Sequence, residues 1–313
     1  MDGTLHGKER WKGILLVLFS ATLWGVSGTV AQYLFGHEFT PEWLVVIRLL
    51  ISGILLLSFS SIKNGSLIFT VFKTKYDTLS IIFFGVIGML GVQYTYFAAI
   101  EASNAATATL LQYLGPVVLT LYIVLRYKQM PKPAQMVAIV LSVIGTLLLV
   151  TSGSFESLSI SGQALFWGIA SAFAVAFYTQ QPHRLIHTFG SLSVVGWGMV
   201  IGGAGFSVVH QPWQVAGDWS ITTLMAVLFV IIFGTLIPFY CYLESLNYIE
   251  PSETSILGCA EPLSAAILSV LWLHVKFNMA EWLGALFIIL TIILLSRRST
   301  KSKRKNNGDE RGA

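Results

Sequence analysis

Ten runs of apolar residues, each close to the length needed to cross a lipid bilayer, leave this chain few folds to choose from. Bounded by polar or Pro/Gly-containing clusters, they cover residues 12–35, 42–62, 78–100, 104–125, 133–151, 161–181, 191–209, 221–244, 252–273 and 279–296. A helix rises about 1.5 Å per residue, so about 20 apolar residues cross about 30 Å of hydrocarbon. Composition points the same way: 55% of the 313 residues are hydrophobic, 11% are charged and the mean hydropathy is +0.73. Soluble domains carry about 25% charge, and so few charges would leave apolar patches that a monomer in water rarely tolerates. The sequence therefore predicts an all-α integral membrane protein of ten transmembrane helices, and argues against a soluble enzyme.

The net charge of +4 is unevenly placed. With a cytoplasmic N-terminus, 17 of the 19 Lys and Arg fall on the inner side, Lys276 alone falls outside, and Arg48 lies within the second span. Cytoplasmic loops carry such an excess of basic residues, so both termini are expected in the cytoplasm and the chain in the plasma membrane. Residues 1–11 form a cytoplasmic N-terminus, 12–151 a first five-span unit, 152–160 an external linker, 161–296 a second unit and 297–313 a basic cytoplasmic tail suited to anionic inner-leaflet lipid. The start of the chain imitates a signal peptide, but its apolar run exceeds 20 residues and reads as a retained helix. Cys241 and Cys259 lie in apolar stretches and read as small packing groups. Nucleic acid is not an expected partner.

Sliding the second half on the first by 146 residues aligns Gly88 with Gly234, Tyr94 with Tyr240, Tyr96 with Tyr242, Leu111 with Leu257 and Pro116 with Pro262. Five spans is an odd number, so the second unit enters the membrane upside down relative to the first. Inverted repeats of this kind recur in secondary transporters, with the binding site between the halves near the midplane. Two related halves can also adopt two conformations of similar energy that open to opposite sides.

The chain resembles the EamA-type ten-helix members of the drug/metabolite transporter superfamily over Gly13 to Ser296. The resemblance rests on Leu23-Trp24-Gly25, Thr40-Pro41 leading to Arg48, the small residues Ala105 to Thr109 leading to Leu114-Gly115-Pro116-Val117, and Ala260-Glu261-Pro262. It implies two EamA repeats around a central cavity, and transport of solutes that range over amino acids, amines, nucleotide-related metabolites and drugs. Where such proteins usually carry an acidic residue near a Gly-Glu pair, this chain reads Leu125-Arg126-Tyr127-Lys128 and Leu273-His274-Val275-Lys276, so no role is carried over from those acids.

Glu261 is an ionisable group at membrane depth, costing about 2.5–3.5 kcal/mol on insertion scales unless paired, hydrated or protonated. It reads either as a cavity carboxylate that takes a cation or a proton, or as a structural carboxyl near backbone groups freed by Pro262. Arg48 has donors to grip a carboxylate in bidentate fashion, yet sits close enough to the span start to snorkel; the resemblance favours packing or gating. Polar and aromatic groups recur on the aligned spans: Trp24 and Gln32; Gln93, Tyr94 and Tyr96; Gln112 and Tyr113; Trp167, Tyr178 and Gln181; Tyr240 and Tyr242. Of these, Trp24, Tyr94, Gln112, Tyr178 and Tyr240 join Glu261 and Arg48 as candidate substrate or coupling residues, with Pro116 and Pro262 as structural or gating positions. An aromatic cavity with one carboxylate suits an organic cation. Trp11, Trp43, Trp213, Trp219 and Trp282 read as an interfacial belt, and the small residues of spans 6 and 7, Gly168, Ala172, Ala176, Gly198 and Gly202, as close helix packing. Gly85, Gly88 and Gly91 read as ordinary membrane-helix glycines.

His183 and His187 have metal-ligand spacing but no third ligand nearby, and no Walker loop, HExxH or GxSxG occurs. No cofactor, metal or enzymatic activity is expected. The reading is a secondary active exporter of a small metabolite, amino acid or amine by alternating access, coupled to protons. Expected partners are the solute, the bilayer, the proton and a second copy of the chain. An intramembrane lipid-modifying enzyme and a receptor without flux are the rivals that the internal repeat argues against.

Overall fold

The computed structural model describes residues 2–128, 130–154, 156, 161–215, 217–264 and 278–296. Among the described residues, helices fall in every predicted span. The first two are α1 (Asp2–Phe35) and α2 (Pro41–Asn64), and the third is built from α3 (Lys75–Phe83), a π-helical segment (Phe84–Leu90) and α4 (Gly91–Glu101). The fourth is broken into α5 (Ala105–Gln112) and α6 (Gly115–Tyr127), the fifth is α7 (Pro133–Thr151) and the sixth α8 (Gly162–Gln180), followed by the short α9 (His183–Phe189). The seventh is α10 (Ser191–Phe206); the eighth joins α11 (Ile221–Ile231), a second π-helical segment (Ile232–Leu236) and α12 (Ile237–Ser245). The ninth starts with α13 (Pro251–Gly258) and helical residues 260–264, and the tenth is α14 (Met279–Ser296). His274, Lys276 and the tail 297–313 lie outside the described residues.

Among the described residues, six helical stretches are long and apolar enough to cross a membrane: Glu9–Phe35, Pro41–Lys63, Lys75–Glu101, Thr107–Tyr127, Gly162–Phe189 and Ile221–Ser245; Pro133–Leu148, Ser191–Phe206 and Met279–Leu294 are shorter apolar helices. Several starts are set by side-chain caps. Thr40 accepts from the Trp43 N–H ahead of Pro41, Asn104 from Thr107, Ser161 from Ala164 and Ser220 from Thr223, each cap contributing about 1 kcal/mol.

The two halves match in detail. Lys75 and Ile221 begin their helices, Leu90 and Leu236 end the π-helical segments, and Ala105–Gln112 and Pro251–Gly258 are eight-residue helices with both ends in register, every pair 146 residues apart. Interhelical packing respects the same exchange. Span 1 lies along span 8 as span 3 lies along span 6; span 1 meets span 9 as span 6 meets span 4; spans 2 and 7, and spans 5 and 10, pair with their own counterparts. The halves are interleaved, so the cores of both are built at their mutual interface.

Glycines make the closest of these approaches. A Cβ on Gly202 in span 7 would sit 2.6 Å from the Gly85 carbonyl oxygen in the π-helical part of span 3. Gly85, expected to be an ordinary membrane-helix glycine, thus belongs to an irregular turn docked on the backbone of span 7. Another difference concerns the aromatic belt: Trp11, Trp213, Trp219 and Trp282 are exposed, but Trp43 is buried, donating from Nε1 to the Pro212 carbonyl at 3.3 Å and packing on Phe39 and Trp219. The segment after span 2 is a 3₁₀ helix (Gly65–Phe72) whose Phe72 packs edge-on to Trp197.

Candidate functional site: a cavity between the halves

Spans 1, 2, 3, 4, 6, 8 and 9 surround one interior cavity, while the 5–10 pair stands outside it. The space open to water centres is about 70 Å³, against about 10–15 Å³ for one water. It therefore admits a handful of waters or the polar part of a small solute.

One wall is aromatic. Trp24 packs edge-on to Phe239 at 5.0 Å and tilted against Tyr242 at 5.3 Å, and Tyr178 stacks on Tyr242 with ring centroids 5.4 Å apart. These rings come from spans 1, 6 and 8, so neither half makes the wall alone.

Prolines explain much of the polar chemistry. A proline supplies no N–H to the carbonyl four residues before it. Pro262 frees the carbonyl of Gly258, and the Tyr113 hydroxyl of span 4 lies 2.8 Å from it. The same hydroxyl lies 2.8 Å from Glu261 Oε2, and Glu261 is 6% exposed. Tyr113 thus ties the break in span 4 to the carboxylate in span 9. Among the described residues it is the Tyr113 hydroxyl, and not Glu261, that reaches the freed carbonyl.

Pro238 likewise frees the carbonyl of Gly234, inside the π-helical turn of span 8. Arg48 reaches across from span 2 and donates from Nη2 to that carbonyl at 3.2 Å and from Nε to Thr235 Oγ1 at 2.7 Å. Ser52, one turn on, donates to the Ile231 carbonyl at 3.1 Å. The guanidinium lies over the Phe97 ring, 4.4 Å from its centroid, and Arg48 is 3% exposed. It is packed in the interior and does not snorkel.

Of the residues singled out by sequence, Trp24, Arg48, Gln112, Tyr178, Pro116 and Glu261 line the cavity. Gln112 donates to Ser171 at 2.7 Å, linking spans 4 and 6. Pro262 is buried behind the lining. Tyr94 and Tyr240 lie elsewhere: Tyr94 donates to Glu42 at 3.0 Å and packs on Trp167 and Phe206, whereas Tyr240 is half-buried against the core. The reason is helical geometry. Tyr94 and Tyr96 are two residues apart and point to different sides, and it is Tyr96, hydrogen-bonded to Thr109 at 2.8 Å, that lines the cavity, with Tyr242 in the equivalent place. Gln93 and Tyr113 also belong to the lining; the stripe shared with Phe97 at i+4 was the available signal for Gln93. Among the described residues, no cluster of three or more metal-ligating side chains occurs.

Both ends of the bundle carry links between spans. At the end holding the start of span 1, Arg10 pairs with Glu253 at 2.7 Å and Lys12 donates to Tyr248 at 2.6 Å, while Tyr248 and Ser191 both donate to Glu244. At the other end, besides Tyr94 with Glu42, the Ala105 N–H donates to Gln32 at 2.9 Å and Asn278 donates to the Ser152 carbonyl at 2.7 Å.

Comparison with known proteins agrees with this architecture. The profile of the EamA-like transporter family matches residues 11–151 and 162–297. The uncharacterized inner membrane transporter YicL of Salmonella typhimurium is 44% identical over 294 residues, covering 94% of this chain and 98% of that protein. Protein PecM of Dickeya dadantii is 25% identical over 292 residues, covering 92% and 93%. A solved structure, named only "Crystal structure of protein", shares the fold with a TM-score of 0.74 at 17% identity over 92% of this chain and 99% of that one.

Proposed function

The chain belongs to the EamA-like transporter family, and from that premise we propose that this multi-pass membrane transporter is a proton-coupled secondary exporter of a small metabolite, amino acid or amine. In this reading it works by alternating access in the plasma membrane with both termini cytoplasmic. The observation that carries the proposal is the place of Glu261: a buried carboxylate on the wall of a cavity shared by the two halves, held among the described residues by the Tyr113 hydroxyl.

An ionised, unpaired carboxylate resists passage through a low-dielectric intermediate, so the cavity changes sides readily only when Glu261 carries a proton or faces a cationic group. A proton and a solute ammonium then compete for one carboxylate. Proton entry drives solute exit, and a carrier with both absent is held back. The cross-span links at the two ends supply the closing contacts, one set parting while the other holds.

The test uses purified protein in proteoliposomes with an internal pH dye and a panel of amino acids and amines. Solute addition is expected to move protons in the wild type, and Glu261→Gln is expected to abolish that movement while preserving passive exchange. Transport by Glu261→Gln at the wild-type rate with unchanged pH dependence overturns the coupling role. Turnover of a lipid in the same vesicles would instead revive the enzymatic rival.

A further inference from the structure

We propose that Arg48 and Gln93 form an anion subsite in the cavity that takes the carboxylate of the transported solute, which makes that solute a zwitterion. The inference rests on the proton-exchange reading above and adds the second pole of the substrate.

Three observations carry it. First, Arg48 is only partly used by the protein: Nε and Nη2 hold Thr235 and Gly234, while Nη1, equally buried, has no hydrogen-bond partner among the described residues. Second, Gln93 is 2% exposed, yet neither its Nε2 nor its Oε1 has a partner among the described residues. Burying a whole amide without partners is unfavourable unless something it binds completes it. Third, the two groups converge. Gln93 sits one turn before Phe97 on span 3, and the ring of Phe97 carries the Arg48 guanidinium, so both polar groups share one face and line the same cavity.

The chemistry of that pair is specific. Nη1–H and the amide N–H are donors, matching a carboxylate that only accepts. The two bonds Arg48 already makes immobilise its planar head before the solute arrives, so little order is lost on binding. Glu261 stands in the same small cavity with the opposite charge. A solute with a carboxylate on Arg48 and Gln93 and an ammonium toward Glu261 and the aromatic wall leaves no charge uncompensated. When the solute departs, its carboxylate leaves with its ammonium: a proton takes the ammonium's place on Glu261, while the Arg48 charge is left to the Gly234 carbonyl, the Thr235 hydroxyl and the Phe97 ring that already hold it, and the cycle exchanges solute for proton.

A matched series tests the assignment: leucine, leucinamide, 3-methylbutylamine and 4-methylpentanoate, which keep or remove each pole on one carbon frame. Thermal stabilisation of the purified full chain by each is compared for wild type, Arg48→Gln and Gln93→Leu. Because Arg48 also holds the π-helical turn, Arg48→Gln is free to disturb folding; Gln93→Leu removes no hydrogen bond made among the described residues. Leucine is expected to bind about tenfold or more tighter than either compound lacking the carboxylate. Gln93→Leu is expected to shrink that discrimination while leaving the solute-free protein as stable as wild type or more so, which a purely structural role would not produce.

Equal binding of leucine and 3-methylbutylamine in wild type and Gln93→Leu overturns the subsite, as does no stabilisation by any of the four. The two readings separate cleanly. Carboxylate discrimination that persists in Glu261→Gln, with flux of unchanged pH dependence, removes the coupling role and leaves the subsite standing.

Discussion

Replacing Tyr113 with Phe keeps the ring and deletes one hydroxyl, which isolates the contact between the two broken spans. That hydroxyl has one proton and two acceptors at 2.8 Å, the Gly258 carbonyl and Glu261 Oε2. A hydrogen bond to an ionised group contributes about 1.5–3 kcal/mol and one to a neutral group about 0.5–1.5 kcal/mol. Tyr113→Phe is therefore expected to cost about 2–3 kcal/mol when Glu261 is ionised, and about 1 kcal/mol in a Glu261→Gln background where both acceptors are neutral. Denaturant unfolding in mixed micelles at alkaline pH, run on both single variants and the double variant, closes the cycle. A coupling of about 1 kcal/mol or more is the expected result; additivity within about 0.3–0.5 kcal/mol would show that the carboxylate is not the partner that matters.

Other outcomes follow from the packing and the charges. Gly202→Ala is expected to cost about 1–3 kcal/mol through overpacking, because the new Cβ would lie 2.6 Å from a backbone oxygen, whereas Gly205→Ala on the same helix meets nothing nearer than 3.9 Å and should be neutral or stabilising; equal melting temperatures for the two would refute the close approach. Arg10→Gln removes the charged donor from buried Glu253, at an expected loss of about 1–3 kcal/mol, and Arg10→Gln with Glu253→Gln should recover most of it in the same unfolding assay. For orientation, single cysteines introduced before Arg10 and after Ser296 are expected to react with an impermeant maleimide only after cells are opened. Labelling of either in intact cells would reverse the topology.

Much of the fold was legible in one dimension because a bilayer imposes length and polarity on each span separately. The apolar runs with the polar clusters that bound them, and the Tyr and Pro pairs 146 residues apart, announce boundaries and duplication without reference to tertiary contacts. The site was only partly legible. Glu261, Arg48, Trp24, Gln112 and Tyr178 stood out by type and depth, and they do line one cavity. Repeat identity is the same for Tyr94 with Tyr240 and for Tyr96 with Tyr242, and only the rotation of spans 3 and 8 decides that the second pair faces inward. Gln93 and Tyr113 are distinguished only by tertiary contacts: Tyr113 by its two acceptors in span 9, Gln93 by having no hydrogen-bond partner among the described residues.

What the sequence determined by itself is therefore the solvent, the number of spans, the repeat and its inversion: each follows from local hydrophobicity or from counting an odd number of crossings. What only the tertiary structure decided is that the halves interleave. Span 2 of the first half mends the π-helical turn of span 8 in the second through Arg48, and Tyr113 of the first completes the proline break of the second beside Glu261. Those pairings join residues far apart in sequence, and no local period or spacing encodes them. They arise because backbone groups freed by proline within lipid must find donors on whichever neighbouring helix packing brings near.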